Sequence, residues 1–151
     1  MRLLFTLFAL APLACGAADR LSGKWHSDHD TSMGFVRAHT RLEPRQLEFL
    51  DGSLGRMQLS FDGTNMRRAL PDFDIAIQGK PTHFAGSEEN LSYRLIGTDS
   101  DSVAILVTND HGADRIIHIH FVKNDMFWLY SEETNYGLRD LNFREYFRRI
   151  E

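Results

Sequence analysis

From Ala85 onward, short runs of apolar and polar residues are separated by turn residues at regular intervals. Leu91-Ser92-Tyr93-Arg94-Leu95-Ile96 ends at Gly97-Thr98-Asp99-Ser100, and Val103 to Val107 ends at Asn109-Asp110-His111-Gly112. Arg115 to Val122 and Met126 to Tyr130 flank the tight turn Asn124-Asp125. Period-two alternation puts neighbouring side chains on opposite faces of a strand, and Asx-rich turns between such runs favour hairpins. The pattern predicts an antiparallel meander.

The first half is less regular. Trp25 to Asp30 reads as a strand, continuing towards Val36 after a bend at Gly34. Glu43 to Leu54 reads as a short helix: Pro44 suits its first turn, Leu47, Leu50 and Leu54 share a face, and Gly52 can end it. Gly55 to Phe61 alternates, Asp62-Gly63 is a hairpin turn, and Asn65 to Leu70 pairs back. Pro71 to Phe84 is ambiguous, although Phe73, Ile75 and Ile77 keep strand period. Roughly eight strands and one short helix after the first strand can close as an all-β antiparallel meander barrel. A two-sheet sandwich fits the same count.

The extreme N-terminus follows another pattern. Arg2 precedes the apolar run Leu3 to Ala14, and Gly16-Ala17-Ala18 supplies small residues before Asp19. That order predicts a secretory signal peptide, residues 1–18, and an apolar run too short to span a membrane. Pro12-Leu13-Ala14-Cys15 also resembles a bacterial lipoprotein box, in which acylation of Cys15 would tether the domain to a membrane. Cleavage after Ala18 is the preferred reading. It leaves residues 19–151 as one domain without a cysteine, so its stability has to come from packing. The expected location is the periplasm or the exterior of a Gram-negative cell.

Charge changes the picture little. The chain carries −4, and loss of Arg2 makes it −5. A mildly acidic domain has no electrostatic footprint for nucleic acid. Arg67-Arg68 and Arg148-Arg149 read as surface pairs.

Two clusters invite a chemical reading. His118-Ile119-His120 puts two imidazoles on one strand face, half of a zinc site, but the sequence offers no third ligand beside them. His26-Ser27-Asp28-His29-Asp30 places carboxylates beside imidazoles, as general-base chemistry requires. No nucleophile elbow accompanies it, so a solvated barrel rim is the better reading. The expectation is a non-enzymatic domain without cofactor or metal.

Gly23-Lys24-Trp25 resembles the Gly-x-Trp signature that opens the first strand of lipocalins and lipocalin-like proteins. That family closes one barrel end with the tryptophan and stacks across it an arginine from the last strand. Here that arginine would come from Phe143 to Ile150. Arg148 is the first choice, with Arg149 the neighbouring option, so Gly23, Trp25 and Arg148 form the expected closure. The resemblance implies a small apolar or amphipathic ligand inside the barrel, with Phe61, Leu95, Ile105, Ile119 and Trp128 assigned to its lining. The alternation does not decide which rings face inward. Phe127-Trp128-Leu129-Tyr130 puts large residues on both faces, and whichever points outward marks a contact patch. An envelope inhibitor or immunity-type protein acting through such a patch is the alternative role, and a periplasmic metal-binding protein a further one.

Overall fold

The computed structural model describes residues 14–131, 138 and 143–151. Its elements, in order, are α1 (Ala14–Leu21), β1 (Gly23–Ser27), α2 (His29–His39), α3 (Pro44–Ser53), β2 (Gln58–Phe61), β3 (Asn65–Leu70), β4 (Phe73–Ile77) and β5 (Lys80–Phe84). There follow β6 (Ser87–Thr98), β7 (Ser102–Thr108), β8 (Asp114–Lys123), β9 (Met126–Tyr130) and β10 (Arg144–Arg149). Eight of the strands close an antiparallel barrel in the order β1-β10-β9-β8-β7-β6-β3-β2. The expected all-β barrel is therefore present, closed rather than split into two sheets. Closure leaves the barrel strands without an unpaired edge.

The later strands pair with their sequence neighbours, as their turns require. Closure is a long-range event: β1 pairs with β10 on one side and with β2 on the other. Beyond the register, Ile150 N–H donates to the Lys24 carbonyl and Lys24 N–H donates to the Glu151 carbonyl. Both ends of the barrel chain thus lie side by side at one pole. Gly23 explains the first letter of its motif. Its φ is +114°, and a Cβ there would sit 2.5 Å from the Glu151 carbonyl oxygen and 2.9 Å from the Arg149 guanidinium.

Two stretches depart from the sequence expectation. The first strand stops at Ser27, and residues 29–39 form helix α2 instead of an extended continuation. Asp28 is the reason: its carboxylate accepts from Thr31 N–H at 3.0 Å, a helix N-cap. Met33 and Val36, three apart, then bury one face. Phe73 to Ile77 and Lys80 to Phe84 form a separate hairpin, β4-β5, outside the barrel. Gln78, at φ 52°, and Gly79 make its turn.

These extra elements roof one end of the barrel. α2, α3 and the hairpin share a second core of Met33, Val36, Phe49, Leu50, Leu54, Ile77, Leu138 and Phe143. α3 packs closely on β4 through Gly52, where a side chain would run into Ile75. Inside the barrel, Leu21, Trp25, Phe121, Phe127 and Phe147 fill the opposite pole, with Trp25 and Phe127 ring centroids 4.6 Å apart. One pole is packed solid; the other is roofed.

Candidate functional site: a cavity under the roof

Register decides which side chains look inward. On β10 the inner face carries Glu145, Phe147 and Arg149, because Trp25 lies opposite Arg149 and His26 opposite Arg148. Arg149 accordingly stacks over the buried Trp25 indole, 4.2 Å from guanidinium carbon to ring centroid. It also donates to the carbonyls of Ser22 and Arg20. A second guanidinium, Arg20, lies 4.0 Å above the Phe121 ring at the same pole. The expected closing residue Arg148 is therefore corrected to Arg149. Arg148 points outward and pairs with Asp28 at 2.7 Å. Burial pushes the Asp28 carboxyl up, but the Thr31 N–H and the Arg148 guanidinium outweigh it and hold it below its ordinary value.

Between the packed pole and the roof lies a cavity of about 330 Å³. Its walls are inner-face residues: Leu59 and Phe61 from β2, Met66 and Arg68 from β3, Arg115, Ile117 and Ile119 from β8, Leu129 from β9 and Glu145 from β10. Phe49, Leu50 and Ser53 of α3 and the Leu54 that follows it cover the cavity, with Phe73 and Phe84 from the hairpin. Ile117, Leu129 and Met57 are only partly buried although they point inward. They pack against the barrel core and line the cavity.

The five residues assigned to the lining fall into three groups. Phe61 and Ile119 line the cavity. Ile105 and Leu95 face inward but pack against the wall, opposite one another on β7 and β6, and do not reach the space. Trp128 is on the outer face, opposite His120 and Tyr146. Its neighbour Leu129 holds the inner position instead. Arg68, Arg115 and Glu145 escaped the sequence reading. Parity was the available signal, because an inward Ile119 places Ile117 and Arg115 inward too.

The polar groups in the cavity are anchored. Arg68 pairs with Glu89 directly across the β3–β6 ladder, at 2.9 Å. Glu145, nearly fully buried, accepts a hydrogen bond from the Ser27 hydroxyl at 2.6 Å. That same hydroxyl accepts from Gly55 N–H at 2.9 Å. Ser27 thus joins the barrel wall to the segment leaving α3. The roof is tied down further by His29, whose ring contacts the Asp30 carboxylate at 2.9 Å and the Asp51 carbonyl at 3.0 Å. The Asp30 hydrogen bond raises the His29 pKa above its ordinary value, against burial and with help from Asp51.

Outside the barrel, side chains stack in a row across three strands onto α2. His120 lies parallel to Trp128 at 4.0 Å, and Arg144 covers Trp128 at 3.9 Å. Arg144 also reaches Phe35 at 4.9 Å, and Phe35 meets His39 at 4.4 Å. Burial, then the neighbouring His118 and Arg144 charges, push the His120 pKa down, with Asp99 opposing. His118 and His120 do face one side, as alternation requires, but His120 is committed to the indole. Among the described residues, no group of three His, Cys, Asp or Glu side chains is placed to hold a metal ion. The His26 to Asp30 cluster is split as well. His26 stays on the outer face of β1, while Asp28 caps α2 and His29 turns towards α3.

Comparison with known proteins returns no match to a family model, to a curated protein or to a solved structure.

Proposed function

We propose that this chain is an exported, non-enzymatic, lipocalin-like binding protein that holds a small apolar or amphipathic molecule inside its barrel. The observation that carries this reading is the roofed cavity of about 330 Å³ between the aromatic pole and α3. A barrel of eight strands has an interior just wide enough to be filled by its own side chains or to hold one small ligand. Here it is not completely filled: Ile117, Leu129 and Met57 line the cavity. The volume is at the low end for ligand sites, which favours a compact molecule. Gly23, Trp25 and Arg149 support the family resemblance as a packing device and have no part in binding. Export is supported by the order of the first eighteen residues.

Native mass spectrometry of the protein purified gently from its own envelope tests the reading. A small-molecule adduct that disappears in Ile119→Trp, with the far-ultraviolet spectrum unchanged, supports it. An adduct-free monomer that also fails to take up any single-chain amphiphile refutes it.

A second reading rests on the outer row. Trp128 and Arg144 are half-buried and Tyr130 is exposed, and interfaces favour these residue types. In that reading the barrel acts on an envelope protein. Trp128→Ala would then abolish the partner complex without altering the cavity adduct.

A further inference from the structure

We propose that the β4-β5 hairpin is the gate of the cavity, swinging about Pro71-Asp72 and Ala85-Gly86 while α2 and α3 stay fixed. This rests on the carrier reading above and adds the route by which a ligand enters. Among the described residues, β4 and β5 pair only with each other. Leu70 and Ser87 form the last rung of the β3–β6 ladder, and Phe73 and Phe84 the first rung of the hairpin. Two residues on each side carry the chain between these rungs. The two crossings touch: Gly86 N–H donates to the Asp72 carboxylate, and a Cβ on Gly86 would lie 2.5 Å from the Leu70 carbonyl oxygen. Side by side, they make one axis. Outside it an open groove of about 520 Å³, lined by Arg67, Pro71, Asp72, Gly86 and Glu88, leaves room for the hairpin to tilt.

The helices are held differently. Asp28 N–H, at the cap of α2, donates to the Tyr146 carbonyl at 2.7 Å, and Tyr146 N–H donates to the Ser32 hydroxyl at 2.9 Å. The end of α3 is fixed by the Arg37–Asp51 pair at 2.9 Å and by the Ser27 hydroxyl on Gly55. The turn of the hairpin is held to α3 by a bond from Gln78 N–H to the Glu48 carboxylate at 2.6 Å. Ile75, Ile77 and Phe84 add apolar contacts with the second core, which part without stranding a buried donor or acceptor. A two-stranded hairpin is marginally stable by itself, and units with few bonds to the rest of a fold open first. Phe73 and Phe84 lie over the cavity, so a tilt uncovers it.

Gly52 of α3 and Ile75 of β4 offer a lock, since a Cβ on Gly52 would stand 3.0 Å from that of Ile75, close to a disulfide's span of about 3.5–4.5 Å. Gly52→Cys with Ile75→Cys, in a Cys15→Ser background, is oxidised with glutathione disulfide and reopened with dithiothreitol. Stopped-flow fluorescence follows uptake and release of N-phenyl-1-naphthylamine, a small neutral fluorophore. The disulfide should slow both rates at least about tenfold with the equilibrium constant unchanged, and reduction should restore them. Glu48→Gln, which weakens the tie at the turn, should speed both about threefold, the scale of one exposed hydrogen bond. Unchanged rates in the oxidised chain would mean that α3 and the hairpin move together or not at all, which overturns the gate while the carrier reading stands. A wild type that takes up no fluorophore counts against the carrier reading instead, and amide exchange then decides the hinge. Hairpin amides protected as long as those of α3 overturn it; earlier exchange that the disulfide abolishes upholds it.

Discussion

Replacing Arg149 by Met, set against the same change at Arg148, tests the register that closes the barrel. The two residues are adjacent, equally charged and equally placed in sequence, yet alternation sends them to opposite faces. Arg149 stacks on a fully buried indole at 4.2 Å, a contact worth about 1–2 kcal/mol when partly desolvated. It also donates to the Ser22 and Arg20 carbonyls, and charge-assisted bonds contribute about 1.5–3 kcal/mol each. Those carbonyls lie near the pole and can turn to water, so the low end applies throughout and the sum is about 4 kcal/mol. Arg148 has its ion pair with Asp28, with side-chain exposures of 47% and 14%. Solvent screening holds such a pair to about 0.5–1 kcal/mol. Urea unfolding followed by circular dichroism gives both numbers, provided the slopes agree. Equal losses, or a larger loss for Arg148→Met, would refute the assignment of Arg149 to the closed pole.

Ser27→Ala should cost about 1–3 kcal/mol, because the Glu145 carboxylate and the Gly55 N–H both lose the hydroxyl that joins them; urea midpoints measure it, and a neutral result would mean that the bridge is dispensable. Gly52→Ala should overpack α3 against Ile75 by about 1–3 kcal/mol, and Ile75→Ala in the same chain should recover most of the loss. The two perturbed histidines should act in opposite directions. The raised His29 adds stability that is full below its ordinary 6.5 and is lost as pH rises through the folded value, so His29→Gln should cost more at pH 5 than at pH 8. The depressed His120 costs stability as pH falls below 6.5, so His120→Gln should compare better with the wild type at pH 5 than at pH 8. Unfolding curves at the two pH values check both signs.

The later strands were legible because β6 to β9 pair locally and each turn announces itself. What alternation cannot supply is parity. Phe127-Trp128-Leu129-Tyr130 is apolar on both faces, since Phe127 and Leu129 face the interior while His120 and Arg144 cover Trp128 outside. Its inward set therefore depended on β10, paired only through folding, and the same one-residue ambiguity separated Arg148 from Arg149. α2 was missed because it buries only Ser32, Met33 and Val36, a face too narrow to show a helical period; the Asp28 cap was its clearer sign. Phe73, Ile75 and Ile77 did mark a strand. Nothing in their spacing distinguishes a barrel wall from a hairpin laid over its mouth. Arg115 and Glu145 stood in strands otherwise read for their apolar residues, so the polar part of the cavity went unseen.

The joining of β1 and β10 at the packed pole has a mechanical consequence. Leu21 and Glu151 flank the same seam, and the antiparallel bonds between Trp25 and Arg149 and between Ser27 and Phe147 run away from them in series. Force applied across these two points loads the bonds one after another, as a zipper rather than a shear clamp. The barrel should therefore open at low force from the pole furthest from the cavity, and a tether or fusion at either point leaves the roof unobstructed.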